Sequence, residues 1–113
     1  MTTCPPHSDK AILDIRRLED YCLSPSHPRG QHKARAFREA LDLQSGDAAW
    51  LRNVLLVEAS RIGDLSPVTT ESWGSHWLLD STIERHGKVA TVLAIWIVRI
   101  GENVPRFLTC WVL

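Results

Sequence analysis

Val89-Ala90-Thr91-Val92-Leu93-Ala94-Ile95-Trp96-Ile97-Val98 is apolar at odd and even positions alike, with one threonine as the exception. A strand with one wet face alternates, so a stretch apolar on both parities predicts a central strand covered on at least part of both faces. Its β-branched and aromatic residues favour extended chain, and it is too short to span a membrane as a helix. Turn signals stand on either side: Arg85-His86-Gly87-Lys88 before it and Gly101-Glu102-Asn103 after it. Each predicts a tight connection, so neighbours at about 76–84 and 105–112 pair with it antiparallel. Trp73-Gly74 marks one more turn, and about 65–71 reads as the remaining strand.

The chain before these strands has helical periodicity. Ile12, Ile15, Leu18 and Cys22 recur at three- and four-residue spacing and predict a short amphipathic helix that Pro25 stops. Ala34, Phe37 and Leu41 predict a second helix from about Gln31, with Lys33, Arg35 and Arg38 mostly outside the core. Ser45 is a good N-cap and Asp47 a favourable first-turn charge for a third helix carrying Trp50, Leu51, Val54, Leu55 and Val57. That helix is expected to reach about Arg61 and end at Gly63, with Trp50 in the core. Helices followed by strands give an α+β class: three N-terminal helices packed on one face of a four-stranded antiparallel sheet. Residues 1–11 read as a flexible tail and 12–113 as a single domain.

With 113 residues, 44% of them hydrophobic and 23% charged, the composition is that of one ordinary globular domain. Lys and Arg number 13 against 13 Asp and Glu, so there is no net field and any electrostatic targeting is local. Cys4, Cys22 and Cys110 form no CxxC spacing, which argues against a disulfide framework or a structural zinc site and for reduced cytosolic thiols. Cys22 and Cys110 read as small core residues. The first ten residues lack the apolar stretch of a signal peptide, so the expected location is cytoplasmic, with no membrane partner. Five tryptophans can fill a small core or, where exposed, stack on bases.

Local charge is concentrated in Ser24-Pro25-Ser26-His27-Pro28-Arg29-Gly30-Gln31-His32-Lys33-Ala34-Arg35-Ala36-Phe37. No Asp or Glu occurs from Tyr21 to Arg38. Pro25 and Pro28 stiffen the turn, Gly30 permits a bend, and the free amides of a helix starting at Gln31 attract an anion. Arg29, His32, Arg35 and Arg38 are the candidate binding residues; the competing reading is a solvated basic face. His7, His27, His32, His76 and His86 include no HxxxH or HExxH pair, so no metal site is expected, and the lack of a glycine-rich phosphate loop predicts no nucleotide cofactor.

Phosphate chemistry without metal remains. Cleaving RNA this way needs a base for the 2′-hydroxyl, cations for the developing phosphorane charge and an acid for the 5′-oxygen. His27, Lys33, Arg106 and Thr109 have suitable residue types. Alternation along the last strand places Arg106 and Thr109 on opposite faces unless a bulge intervenes. His76, Asp80 and Thr82 share a face with Leu78 and Glu84, which reads as a solvent-facing strand surface.

The segment Leu23–Phe37, the later Trp96-Ile97-Val98-Arg99-Ile100-Gly101-Glu102 and the closing Pro105-Arg106-Phe107-Leu108-Thr109-Cys110-Trp111-Val112-Leu113 resemble an uncharacterised bacterial domain-of-unknown-function family. That family carries an early HP-x-G-x-x-K-A-x-x-F motif and a closing P-R-L-V-T-C-like strand. By position the motif falls on His27, Pro28, Gly30, Lys33, Ala34 and Phe37, then on Pro105, Arg106 and Thr109. Pro28, Gly30, Ala34 and Phe37 have sufficient structural roles; His27, Lys33, Arg106 and Thr109 do not. The resemblance implies small stand-alone proteins and C-terminal modules of polymorphic toxins, often beside a small partner gene. Helices followed by a four-stranded antiparallel sheet is also the architecture of barnase, EndoU, colicin and RelE-like ribonuclease toxins, an analogy of fold alone. The expectation is a metal-independent ribonuclease toxin acting on RNA, tRNA among the substrates, with a cognate antitoxin or immunity protein as partner. The alternatives are a non-catalytic immunity or antitoxin-like interaction module and a nucleic-acid-binding domain without cleavage.

Overall fold

The central strand is β3, Lys88–Arg99, in a sheet ordered β1-β2-β3-β4, with β1 at Thr69–Glu71, β2 at Gly74–Arg85 and β4 at Arg106–Val112. All three pairings are antiparallel. Among the described residues two α-helices precede the sheet, α1 at Gln31–Leu41 and α2 at Ala48–Ala59, so the class is α+β. The computed structural model describes residues 10–64, 67 and 69–113. The predicted tail falls largely outside this range, as do positions 65, 66 and 68 of the first predicted strand.

β2 and β3 pair along their whole length, from Gly74 opposite Arg99 to Arg85 opposite Lys88. The two residues between them, His86 and Gly87, have φ of 53° and 77°, and two positive φ values at a two-residue loop match the right-handed twist of the strands. Burial alternates along β2, with Trp77, Leu79 and Ile83 inside and Leu78, Asp80, Thr82 and Glu84 outside. Val92, Ala94 and Trp96 of β3 and Phe107 and Cys110 of β4 complete the inner face. Phe37 and Leu41 of α1 and Leu51 and Leu55 of α2 join the same core. On the other face of β3, Leu93 is buried while Ile95 and Ile97 are half-buried, so the two-sided cover is partial there.

The first helical segment is shorter than its periodicity predicts. Arg16 and Arg17 lead into a π-helical turn, Leu18–Cys22, closed by Leu23 N donating to Leu18 O at 2.8 Å. The widened turn keeps both Leu18 and Cys22 fully buried. Upstream, Ile12 is extended along β4: its N donates to Pro105 O and its O accepts from Phe107 N, both at 2.8 Å. Arg17 Nη1 donates to Leu108 O at 3.2 Å, so these residues satisfy backbone groups on the outer edge of β4.

At the third helix, Gln44 rather than Ser45 stands at the N-terminal boundary. A short 3₁₀ turn, Ser45–Asp47, comes first, with Gln44 N donating to Asp47 Oδ2 at 3.0 Å. The α-helix stops at Ala59 and tightens into a 3₁₀ turn over Ser60–Asp64, so Gly63 lies inside that turn. Trp50 is 36% exposed, contrary to the core placement expected of it. Arg85, anchored by Asp47 at 3.3 Å, lies 4.9 Å from its ring centroid, and this cation–π cover replaces core packing.

Between β3 and β4 the register slips. Ile95 faces Thr109 and Trp96 faces Phe107, leaving Leu108 as an extra residue. A one-residue insertion reverses the parity of the strand beyond it, so Thr109 shares the face of Arg106, whose partner is Ile97. Among the described residues, no helix is long and apolar enough to cross a membrane.

Candidate functional site

The basic turn is built around the His27 ring. Its Nδ1 accepts from the backbone N–H groups of Arg29 and Gly30, both at 3.0 Å, while Gln31 N donates to His27 O at 2.9 Å. His27 thus satisfies amides at the start of α1, the service a Ser, Thr or Asp side chain usually performs. Accepting from both amides commits Nδ1 to the turn. Tyr21 packs edge-on against this ring, with centroids 4.8 Å apart.

Gly30 is fixed by close approach rather than by an unusual φ. A Cβ there would fall 2.0 Å from Tyr21 O and 2.8 Å from its carbonyl carbon. The helix start and the π turn meet backbone to side-chainless backbone, and this contact brings Tyr21 and Cys22 alongside Lys33.

Lys33 does not remain outside. It is half-buried, and its Nζ donates to Thr109 Oγ1 at 2.8 Å. The Tyr21 and Trp111 ring centroids are 4.7 and 5.2 Å from the same nitrogen. None of the ion pairs among the described residues includes Lys33. A hydroxyl and two ring faces stabilise an ammonium without neutralising it, so no carboxylate competes with an incoming anion there.

Cys22 extends the cluster inward, with Sγ 3.7 Å from Thr109 Oγ1. Hydrogen bonding from Cys110, then from Thr109, with Lys33 adding its charge, pulls the Cys22 thiol down to about 6 against the opposing effect of burial. Burial pushes Cys110 well above the ordinary thiol range. Both are fully buried, in keeping with their reading as core residues, yet Cys22 is electrostatically part of the site. A pKa lower in the folded than in the unfolded chain adds stability that is complete above the unfolded value, near 9, and is lost as pH falls through about 6. Melting curves between pH 5.5 and 8.5 should therefore show the wild type gaining stability over a Cys22→Ala variant as pH rises. A constant difference would place no thiolate at Cys22.

The other expected site residues are distributed around this cluster. Arg106 lies on the same face as Thr109 and, because the bulge absorbs Leu108, their partners Ile97 and Ile95 are two residues apart, roughly 7 Å along the strand. Its guanidinium grips Glu102, Nε to Oε1 at 3.0 Å and Nη2 to Oε2 at 3.2 Å, and this hydrogen bonding holds the Glu102 carboxyl below its usual range. Arg29, His32, Arg35 and Arg38 are all exposed on the turn and on α1. Lys33 and Thr109 are in direct contact, whereas His27 is engaged with backbone and Arg106 with Glu102. Among the described residues, no group of three or more His, Cys, Asp or Glu is placed to hold a metal ion, and His7 lies outside them. On the open face, His76 stacks on Trp73 at 6.0 Å and Asp80 and Thr82 are exposed.

Sequence reasoning passed over Tyr21, Trp111 and Cys22 as members of the site. Their only signal was adjacency: Tyr21-Cys22 directly precedes the basic turn, and Trp111 is two residues beyond Thr109.

Residues 5–113 match the model of a family described as a domain of unknown function, DUF6883. The chain belongs to the DUF6883 family. No curated protein and no solved structure matches it. In this DUF6883 domain, therefore, the Lys33–Thr109 cluster has to be interpreted from its own chemistry.

Proposed function

We propose that the domain acts on RNA at the Lys33–Thr109 pair, as a metal-independent ribonuclease of a bacterial toxin system. The observation that carries this reading is an ammonium without a carboxylate partner, positioned on a hydroxyl between two aromatic rings. As the 2′-oxygen attacks the adjacent phosphorus, negative charge grows on the phosphoryl oxygens, and a fixed cation lowers that barrier. Thr109 orients the phosphate, Tyr21 and Trp111 offer faces on which bases stack, and Arg106 meets a flanking phosphate after exchanging Glu102 for it. The P–O5′ bond breaks to leave a 2′,3′-cyclic phosphate, with water taking the 2′-proton and supplying the proton of the 5′-hydroxyl. His27 has a positioning role here, because Nδ1 is committed to the turn. The exposed basic turn at Arg29 and His32 would dock an acidic antitoxin or immunity protein.

A second reading, RNA binding without cleavage, is favoured by the same His27 geometry, which leaves the described cluster without an evident general base. Purified wild type and Lys33→Ala should be incubated with total RNA and with tRNA in EDTA and resolved on denaturing gels. Discrete fragments from the wild type, reduced at least about tenfold in the variant, are expected. Intact RNA bound with strong salt dependence would select the binding reading. Intact, unbound RNA would remove both.

A further inference from the structure

A cleft of about 250 Å³ lies on the flank of α1 where Gln31, Ala34, Arg35 and Arg38 line up at helical spacing, away from Lys33. Leu23, Pro25 and Leu43 supply apolar wall, and Gln44 and Ser45 close the far side from the 3₁₀ turn. Among the described residues no carboxylate lines it and no ion pair includes Arg35 or Arg38. Two arginines one helical turn apart therefore line a space that no described carboxylate enters. Arginine presents paired N–H groups that fit phosphate oxygens bidentately. The remaining wall is of a different kind: the exposed Pro25 ring, with the carboxamides of Gln31 and Gln44 and the Ser45 hydroxyl suited to the edge of a base. The volume is small for a ligand pocket and suits one nucleotide unit.

We propose that this cleft is a phosphate subsite for a single nucleotide, with Arg35 and Arg38 on the phosphate and the base against Pro25. It deepens the RNA reading by adding a subsite beyond the Lys33–Thr109 pair. Binding at the cleft can nevertheless be measured whether or not cleavage occurs.

The test uses the full chain, labelled with ¹⁵N and titrated with UMP, with AMP, with a single-stranded tetranucleotide bearing a 3′-phosphate, and with inorganic phosphate. Saturable shifts at the amides of Arg35, Arg38, Gln44 and Ser45 are expected. The Arg35→Ala/Arg38→Ala double variant should bind at least tenfold more weakly, while Arg99→Ala, which removes an exposed arginine elsewhere, should bind as the wild type does. Tighter binding of the tetranucleotide than of either mononucleotide identifies an RNA end as the occupant; the reverse identifies a free nucleotide. Equal affinity for inorganic phosphate and nucleotides would overturn the base contact and with it the proposal. So would equal weakening by Arg99→Ala, or shifts confined to other residues. If the titration succeeds and no RNA is cleaved, the subsite stands and the ribonuclease reading falls; cleavage with an inert cleft removes the subsite and leaves the ribonuclease reading in place.

Discussion

Gly30→Ala is expected to destabilise the domain by about 2–4 kcal/mol, measured by urea or thermal unfolding. The new methyl would lie 2.0 Å from Tyr21 O, and backbone cannot rotate away as a flexible side chain can. Relief requires either the π turn or the start of α1 to move. Either movement also disturbs the two amides held by His27 Nδ1 and the cation–π contact between Tyr21 and Lys33. The loss should therefore exceed what steric strain in an isolated loop would give, and anion binding at Lys33 should weaken in the same variant. An unfolding midpoint within error of the wild type would show that the two backbones have room to separate at no cost.

Trp96→Ala should cost about 3–5 kcal/mol, the range for removing a large buried aromatic. Trp96 is fully buried, packs edge-on with Phe107 at 5.4 Å and stands opposite Trp77 across the β2–β3 pairing. The cavity would open where the sheet supports both helices, with little chance of collapse. Its indole Nε1 has no hydrogen-bond partner among the described protein groups, so burying that N–H costs energy in the wild type. Trp96→Phe removes the orphaned donor together with part of the ring, and should lose less than about 1.5 kcal/mol. A Trp96→Phe loss well above that figure would mean that the indole N–H is satisfied after all.

The sheet was legible because its signals are local. The two-parity run around Trp96 and the His86-Gly87 turn fix the central strand, its partners and their order without tertiary information. The bulge at Leu108 carries no such signal: β4 reads as an unbroken strand, and its slip is visible only in the residues that face it on β3. Without that bulge, simple alternation sets Arg106 and Thr109 apart. Ile12-Leu13-Asp14-Ile15 illustrates a different failure. Its spacing suits a helix, yet the outer edge of β4 offers backbone groups to Ile12, and tertiary pairing overrode periodicity there.

At the site, the basic turn and the start of α1 were readable from Pro25, Pro28, Gly30 and Gln31. Side-chain direction was not. Lys33 looks like a surface lysine in any helical projection, and its inward turn depends on a hydroxyl from the last strand and on two rings that no spacing rule relates to it. His27 presents the converse case. A histidine in a basic loop suggests proton transfer, whereas its ring is spent on two amides, a role that residue type alone does not reveal.

Thr109 is 76 residues from Lys33 and 87 from Cys22, so its hydroxyl joins three segments that meet late along the chain. During synthesis the turn, the π segment and both helices leave the ribosome well before β4 does. The Lys33–Thr109 cluster thus comes into existence only when the final strand docks, and an incomplete chain carries the basic turn without its counterpart. Whatever chemistry the Lys33–Thr109 contact performs is therefore delayed until β4 has been made and has docked.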